Sequence, residues 1–256
     1  MKNIIFYVSA FALFVLQSCS VNTDVTFFKD KTSTSQVDLD AKQLMSMMTA
    51  FATDEQGGNP SFDEMNNLPS EFTSFYDLRV KDGNAPTHPD SIRIMKKIFL
   101  KKLGTPTEAS GAAFKFEKFL NEDYAVAEKM MNGNTQKVPL DKLLYTNWDG
   151  KKLVISTKNL SEGFIKDMLE GDMAEAGSVD DLTAQKEQMK MMLQMMDMKV
   201  NSTLKFEGKI KSITGKHDFV TKSDDNTIKI AVDVNKILED NPTWTNNDKE
   251  IIIITK

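Results

Sequence analysis

Ile228-Lys229-Ile230-Ala231-Val232-Asp233-Val234 places branched apolar residues at every second position, with the charges of Lys229 and Asp233 between them. Side chains alternate across a strand with a period of two, so this stretch reads as a strand with one face in a core and the other in water. Upstream, Leu204 and Phe206 alternate in the same way, and Thr214-Gly215-Lys216 reads as a turn. Downstream, Ile251–Ile254 is a run of four β-branched residues, which predicts a strand covered on both sides. Strands joined by tight turns pair antiparallel, so the C-terminal part of the chain reads as a meander.

The N-terminal half carries a second hairpin. Val25 and Phe27, then Ser35, Val37 and Leu39, alternate on either side of Lys29-Asp30-Lys31. Asp40 is placed to cap a helix with Ala41, Leu44, Met45, Met48, Phe51 and Ala52 on one face, ended by Gly57-Gly58. Residues 59–89 read as an irregular connection with a short strand near Phe75–Val80. A helix capped by Thr87 is expected from Asp90 to Leu103, its stripe formed by Ile92, Met95, Phe99 and Leu103. Lys96, Lys97, Lys101 and Lys102 lie away from that stripe and read as a solvated face.

Phe114–Phe119 reads as a strand, followed by a helix capped at Asn121 with Tyr124, Ala127, Met130 and Met131 inward. Asn147-Trp148-Asp149-Gly150 is a turn signal joining Leu143–Thr146 to Leu153–Ser156, since Asp-Gly readily takes left-handed angles. Two helices should follow, Ser161–Glu170 and Ser178–Met198. The expected class is α+β, with a curved, mainly antiparallel sheet and helices packed over one face.

The first 19 residues bear on location. Lys2 precedes an apolar run from Ile4 to Leu16, and the chain then reads Gln17-Ser18-Cys19. One cation before about a dozen apolar residues is the pattern of a secretory signal peptide, too short for a stable membrane span. The ending resembles the lipobox of bacterial lipoproteins, which implies lipidation of Cys19 and its exposure as the mature N-terminus. Cys19 is the only cysteine, so a lipidated chain would have no thiol for disulfides, metal or nucleophilic chemistry. The division expected is residues 1–18 as signal peptide, 19–24 as lipid anchor and short tether, and 25–256 as a single α+β domain.

Charge excludes some partners. The formal net charge is -5, and the cations are 30 Lys with only Arg79 and Arg93 as arginines. A mildly acidic chain lacks the basic face that nucleic acid needs, and few arginines leave few bidentate carboxylate or phosphate sites. Six methionines fall between Met189 and Met198. Met189, Met192 and Met196 share one helical face and are candidates for an adaptable apolar groove. Two other readings are core packing and a soft Cu(I) site, the second without support from any nearby His or Cys. No cofactor and no metal are expected.

No catalytic residues emerge. His88 and His217 read as solvated loop residues, and neither belongs to a nucleophile elbow, a zinc-binding His pair or a phosphate-cradling glycine loop. The acidic pairs Glu122-Asp123, Asp180-Asp181 and Asp224-Asp225 sit where caps and turns want them.

The order of lipobox, Thr26–Leu39 strand pair, Phe114–Phe119 strand, Met-rich helix and Leu204-Lys205-Phe206-Glu207-Gly208-Lys209-Ile210 strand resembles uncharacterised lipoproteins of Bacteroidota. The resemblance implies outer-membrane anchoring. The sparse acidity after Cys19 favours the periplasmic side, and Asp90-Ser91-Ile92 is similar to a short O-glycosylation motif of the same group. The expected function is a membrane-anchored, non-enzymatic interaction or scaffold module contacting envelope proteins. A carrier or receptor for an apolar ligand is the alternative, and a hydrolase with an unrecognised carboxylate site is a third reading.

Overall fold

The computed structural model describes residues 20–40, 66–105, 107–131, 147–157, 199–239 and 243–256, together with Gln194. Cys19, Met189, Met192 and Met196 lie outside these residues. So do the expected helices at 41–52, 161–170 and most of 178–198, and the strand at 143–146.

The described chain is α+β and mostly strand. A large sheet is formed by β1 (Ser20–Phe27), β2 (Ser33–Asp40), β3 (Thr73–Ser74), β4 (Ile98–Gly104), β5 (Ala109–Phe119), β7 (Lys199–Phe206), β9 (Val220–Lys222) and β10 (Thr227–Asp233). Their spatial order is β3-β4-β5-β2-β1-β7-β10-β9, and the sheet is open. A three-stranded sheet has β11 (Glu250–Thr255) between β6 (Lys152–Ser156) and β8 (Ile210–Thr214). Every pairing is antiparallel except that of β1 with β7. The expected mainly antiparallel sheet is therefore present, with a parallel seam at its centre that joins distant parts of the chain.

Register explains the alternation seen in the sequence. Ile98, Phe116, Ser35, Val25, Leu204 and Ile228 are partners in one row across six strands, and all six are buried. The neighbouring row, Lys115, Gln36, Asp24, Thr203 and Lys229, points to the other face and is polar. A one-residue slip in any strand would exchange these faces, so burial pins the register.

Two clusters fill the buried face. In the first, Val25, Phe27, Leu204, Phe206, Ile228 and Ile230 of the large sheet pack with Leu153, Ile155, Ile251 and Ile253 of the small one. The Phe27 and Phe206 rings stack at 5.2 Å, and Trp148 tilts against both. In the second, Val37, Ile98, Phe116 and Phe119 meet Ile94 of α2 (Pro89–Met95) and Tyr124 and Ala127 of α3 (Asn121–Met131). Tyr124 Oη lies 2.9 Å from Ser33 Oγ and 3.0 Å from Ser35 Oγ, so three buried hydroxyls satisfy one another.

Several expectations need correction. Phe75–Lys81 is a helix, α1, not a strand, because the Ser74 hydroxyl accepts the Asp77 N–H and caps it. The expected 90–103 helix stops at Met95, and Ile98–Gly104 is strand β4. Long-range pairing with β5 satisfies that backbone and overrides the helical spacing of Phe99 and Leu103. The residue before α2 is His88, with no side-chain cap bond, rather than Thr87.

β11 is the middle strand of its sheet but is covered on one face only: Ile251 and Ile253 are buried, whereas Ile254 is 37% exposed. Residues 20–24, expected to be a tether, are already strand, paired with β2 on one side and β7 on the other. His217, expected in solvent, is 4% exposed, beneath the rings of Phe219 and Trp244.

Candidate functional site

β1 runs from Ser20 to Phe27, a rise of about 23 Å at 3.3 Å per residue. The end at Ser20 is the near end, next in the chain to Cys19. The far end gathers turns that are distant in sequence. In the β1–β2 turn the Phe28 N–H donates to the Thr32 carbonyl and the Lys31 N–H to the Phe28 carbonyl, with Lys31 at φ 70°. The Trp148 indole N–H reaches across to the Phe28 carbonyl at 2.8 Å and fastens the 148–151 turn beside it. The Lys256 N–H donates to the Lys209 carbonyl, bringing the end of β11 to the turn after β7.

Between these turns lies a cleft of about 540 Å³ lined by Lys29, Lys31, Asp149, Gly150, Lys151 and Lys256. Its shape depends on two glycines. Gly150 has φ +99°, and a Cβ there would stand 3.0 Å from the Lys29 carbonyl oxygen. A Cβ on Gly208 would stand 2.5 Å from the Lys256 carbonyl oxygen and 3.5 Å from Lys29 Cε. Side chains at either position would push the turns apart.

The charge in the cleft is unbalanced. All four lysines are exposed, and among the described residues none of them forms an ion pair. The nearby acids make their hydrogen bonds and ion pairs with other groups, although Asp149 also acts on Lys31 and Asp225 on Lys256 through space. Asp149 Oδ1 accepts the N–H groups of Lys151 and Lys152 at 2.9 and 2.7 Å. Those bonds, first that of Lys151, hold its carboxyl below the usual carboxylate range. Glu207 accepts the Lys29 backbone N–H at 2.8 Å, Asp30 turns to Thr32 and Lys118, and Asp225 turns to Lys209. Ammonium groups are point charges with three donors each, so this arrangement suits an anion.

Two other polar clusters have inward, structural geometry. Asp123 is fully buried and receives Arg93 Nη1 at 2.7 Å, Lys97 Nζ at 3.1 Å and the Leu120 N–H at 3.1 Å. Burial pushes its pKa up, but Arg93, the Leu120 N–H and Lys97 together outweigh burial and hold it below the ordinary value. His217 Nδ1 accepts the Phe219 N–H at 3.2 Å, and burial lowers its pKa. No three His, Cys, Asp or Glu side chains converge on a metal-sized space among the described residues, and no described helix is long and apolar enough to cross a membrane.

Sequence reasoning identified the turns at 29–31 and 147–150 but not their meeting. Nothing local signals that Lys29, Lys151 and Lys256 converge, because the convergence depends on the pairings of β1 with β7 and β6 with β11.

No protein-family model matches the chain, and no curated protein is significantly similar to it. Among solved structures, the folded domain of Mycobacterium tuberculosis LppM is similar over 94% of this chain and 91% of that one, at 8% identity and a TM-score of 0.35. A likeness this distant carries no argument about fold or function.

Proposed function

We propose that this protein is an envelope lipoprotein, anchored through Cys19 in the outer membrane and facing the periplasm, and that it works by non-covalent contact rather than catalysis. The observation carrying this reading is the start of β1 at Ser20, the residue after Cys19, at the near end of the sheet. A lipid on Cys19 would then be joined directly to a central strand, with β2 and β7 bracing it on both sides. The domain would stand on the membrane by its near end and hold the lysine cleft about 23 Å or more away.

In this reading α2 and α3 cover their half of one sheet face, and the contacts are with envelope components, with no cofactor and no nucleic acid. The cleft is cationic, which fits a contact module better than a carrier of apolar ligands. Cys19→Ala tests the anchor. Wild-type protein should take up labelled palmitate and fractionate with membranes, and the variant should do neither. Membrane retention of the unlabelled variant would contradict the proposal.

A further inference from the structure

We propose that the cleft between Lys29, Lys31, Lys151 and Lys256 is a binding site for a phosphate-bearing ligand. Four lysines line one concavity whose lining includes a single carboxylate side chain, that of Asp149, and gathered like charges repel unless an anion joins them. Asp149 offsets part of this charge and Asp225 acts on Lys256 from outside the lining, but neither forms an ion pair with a cleft lysine, so four lysines against one lining carboxylate side chain leave the cleft net positive.

The choice of anion follows from the side chains. Arginine forks bind carboxylate and phosphate alike, whereas several lysines together act as point charges with three donors each and suit an anion that carries more than one charge and several acceptor oxygens, as a phosphate group does. The lining residues include no arginine. The volume, about 540 Å³, falls within the range of small-molecule sites and exceeds what inorganic phosphate alone would fill. A phosphorylated small molecule or a phospholipid headgroup shares this chemistry. The orientation of the site, though not its affinity, rests on the anchor reading. With the lipid at the near end, the ligand arrives from the side opposite the anchoring leaflet.

The test uses the full lipidated chain in nonionic-detergent micelles at low salt. One arm titrates inorganic pyrophosphate calorimetrically, and the other compares micelles with and without phosphatidylglycerol. The comparison proteins are the triple variant Lys29→Gln/Lys31→Gln/Lys151→Gln and a control, Lys205→Gln/Lys229→Gln, on the polar sheet face. Matching thermal melts establish that both variants are folded. Wild type and control should bind in at least one arm, more weakly as salt rises, and the triple variant should lose at least about tenfold in affinity. Binding in the pyrophosphate arm alone identifies a free phosphate ligand, and binding in the lipid arm alone a headgroup; either supports the site. Equal affinity in wild type and triple variant, or no wild-type binding in either arm, overturns it. Palmitate labelling of the same preparation reports the anchor separately, so loss of one reading is not mistaken for loss of the other.

Discussion

Gly150 and Lys29 lie 121 positions apart, yet a Cβ on Gly150 would stand 3.0 Å from the Lys29 carbonyl oxygen. The two turns at the far end are therefore seated closely against each other, with Gly150 backed on the Lys29 carbonyl and the Trp148 indole bonded to the Phe28 carbonyl. Gly150 also has φ +99°, an angle that L-residues rarely adopt. Gly150→Ala should thus destabilise the domain by about 1–3 kcal/mol, combining backbone strain with close approach. The check is a urea melt, and an unchanged midpoint would show that the turns can separate freely.

The Asp123 cluster should make stability sensitive to acid. Its folded pKa lies below the ordinary value, so the stability it contributes is complete above the unfolded carboxylate range, near pH 4. That contribution is lost as the pH falls through the folded pKa. Asp123→Asn should cost about 1–3 kcal/mol at pH 7, because charge-assisted bonds from two partly exposed cations to a buried carboxylate are lost. The gap between wild type and variant should narrow on acidification. A gap independent of pH would mean that the carboxylate is not ionised in the folded protein.

Tyr124→Phe removes the hydroxyl shared by Ser33 and Ser35 while leaving the ring contacts with Phe116 and Phe119 in place. Two buried hydroxyls then lose a partner, for an expected loss of about 1–3 kcal/mol by chemical denaturation. A neutral result would show that the serines find other acceptors.

Ile230 is 1% exposed in the first core cluster. Ile230→Asp would bury an unpaired charge in that cluster, and the domain should fail to fold cooperatively. Lys229→Asp, one residue away on the polar face, should fold normally. Equal tolerance of both substitutions, seen by circular dichroism and proteolysis, would contradict the assigned faces.

The parts of this fold visible in sequence are those governed by neighbouring residues. The β1–β2 hairpin, the Ile228–Val232 face, the inward Tyr124 and Ala127 and the Asp149-Gly150 turn all follow from local alternation, spacing or turn chemistry. Ile92, Met95, Phe99 and Leu103 show why spacing alone misleads. Their helical period is broken at Met95 because β5 offers Ile98–Gly104 a partner that the sequence window cannot display. The Ile251–Ile254 run misled in another way, since β-branched residues favour any strand, including one with a solvent-facing side. Ser74 did carry a local signal, a serine three residues before Asp77, and it is that cap which makes α1 a helix. His217 is buried by Trp244, 27 positions on, and the lysine cleft draws on residues from 29 to 256, so neither leaves a trace at short range.

The central claim is that the chain stands on a membrane by its near end and presents its far end outward. Lipidation consumes Cys19, so a single new cysteine can carry a fluorophore without competition. Placed at Asn22→Cys near the start of β1, and at Lys151→Cys in the cleft, the probe can be tested for quenching by spin-labelled lipid in vesicles carrying the lipidated protein. The account predicts strong quenching at position 22 and little at position 151. Quenching at position 151 equal to or greater than that at position 22 would contradict it.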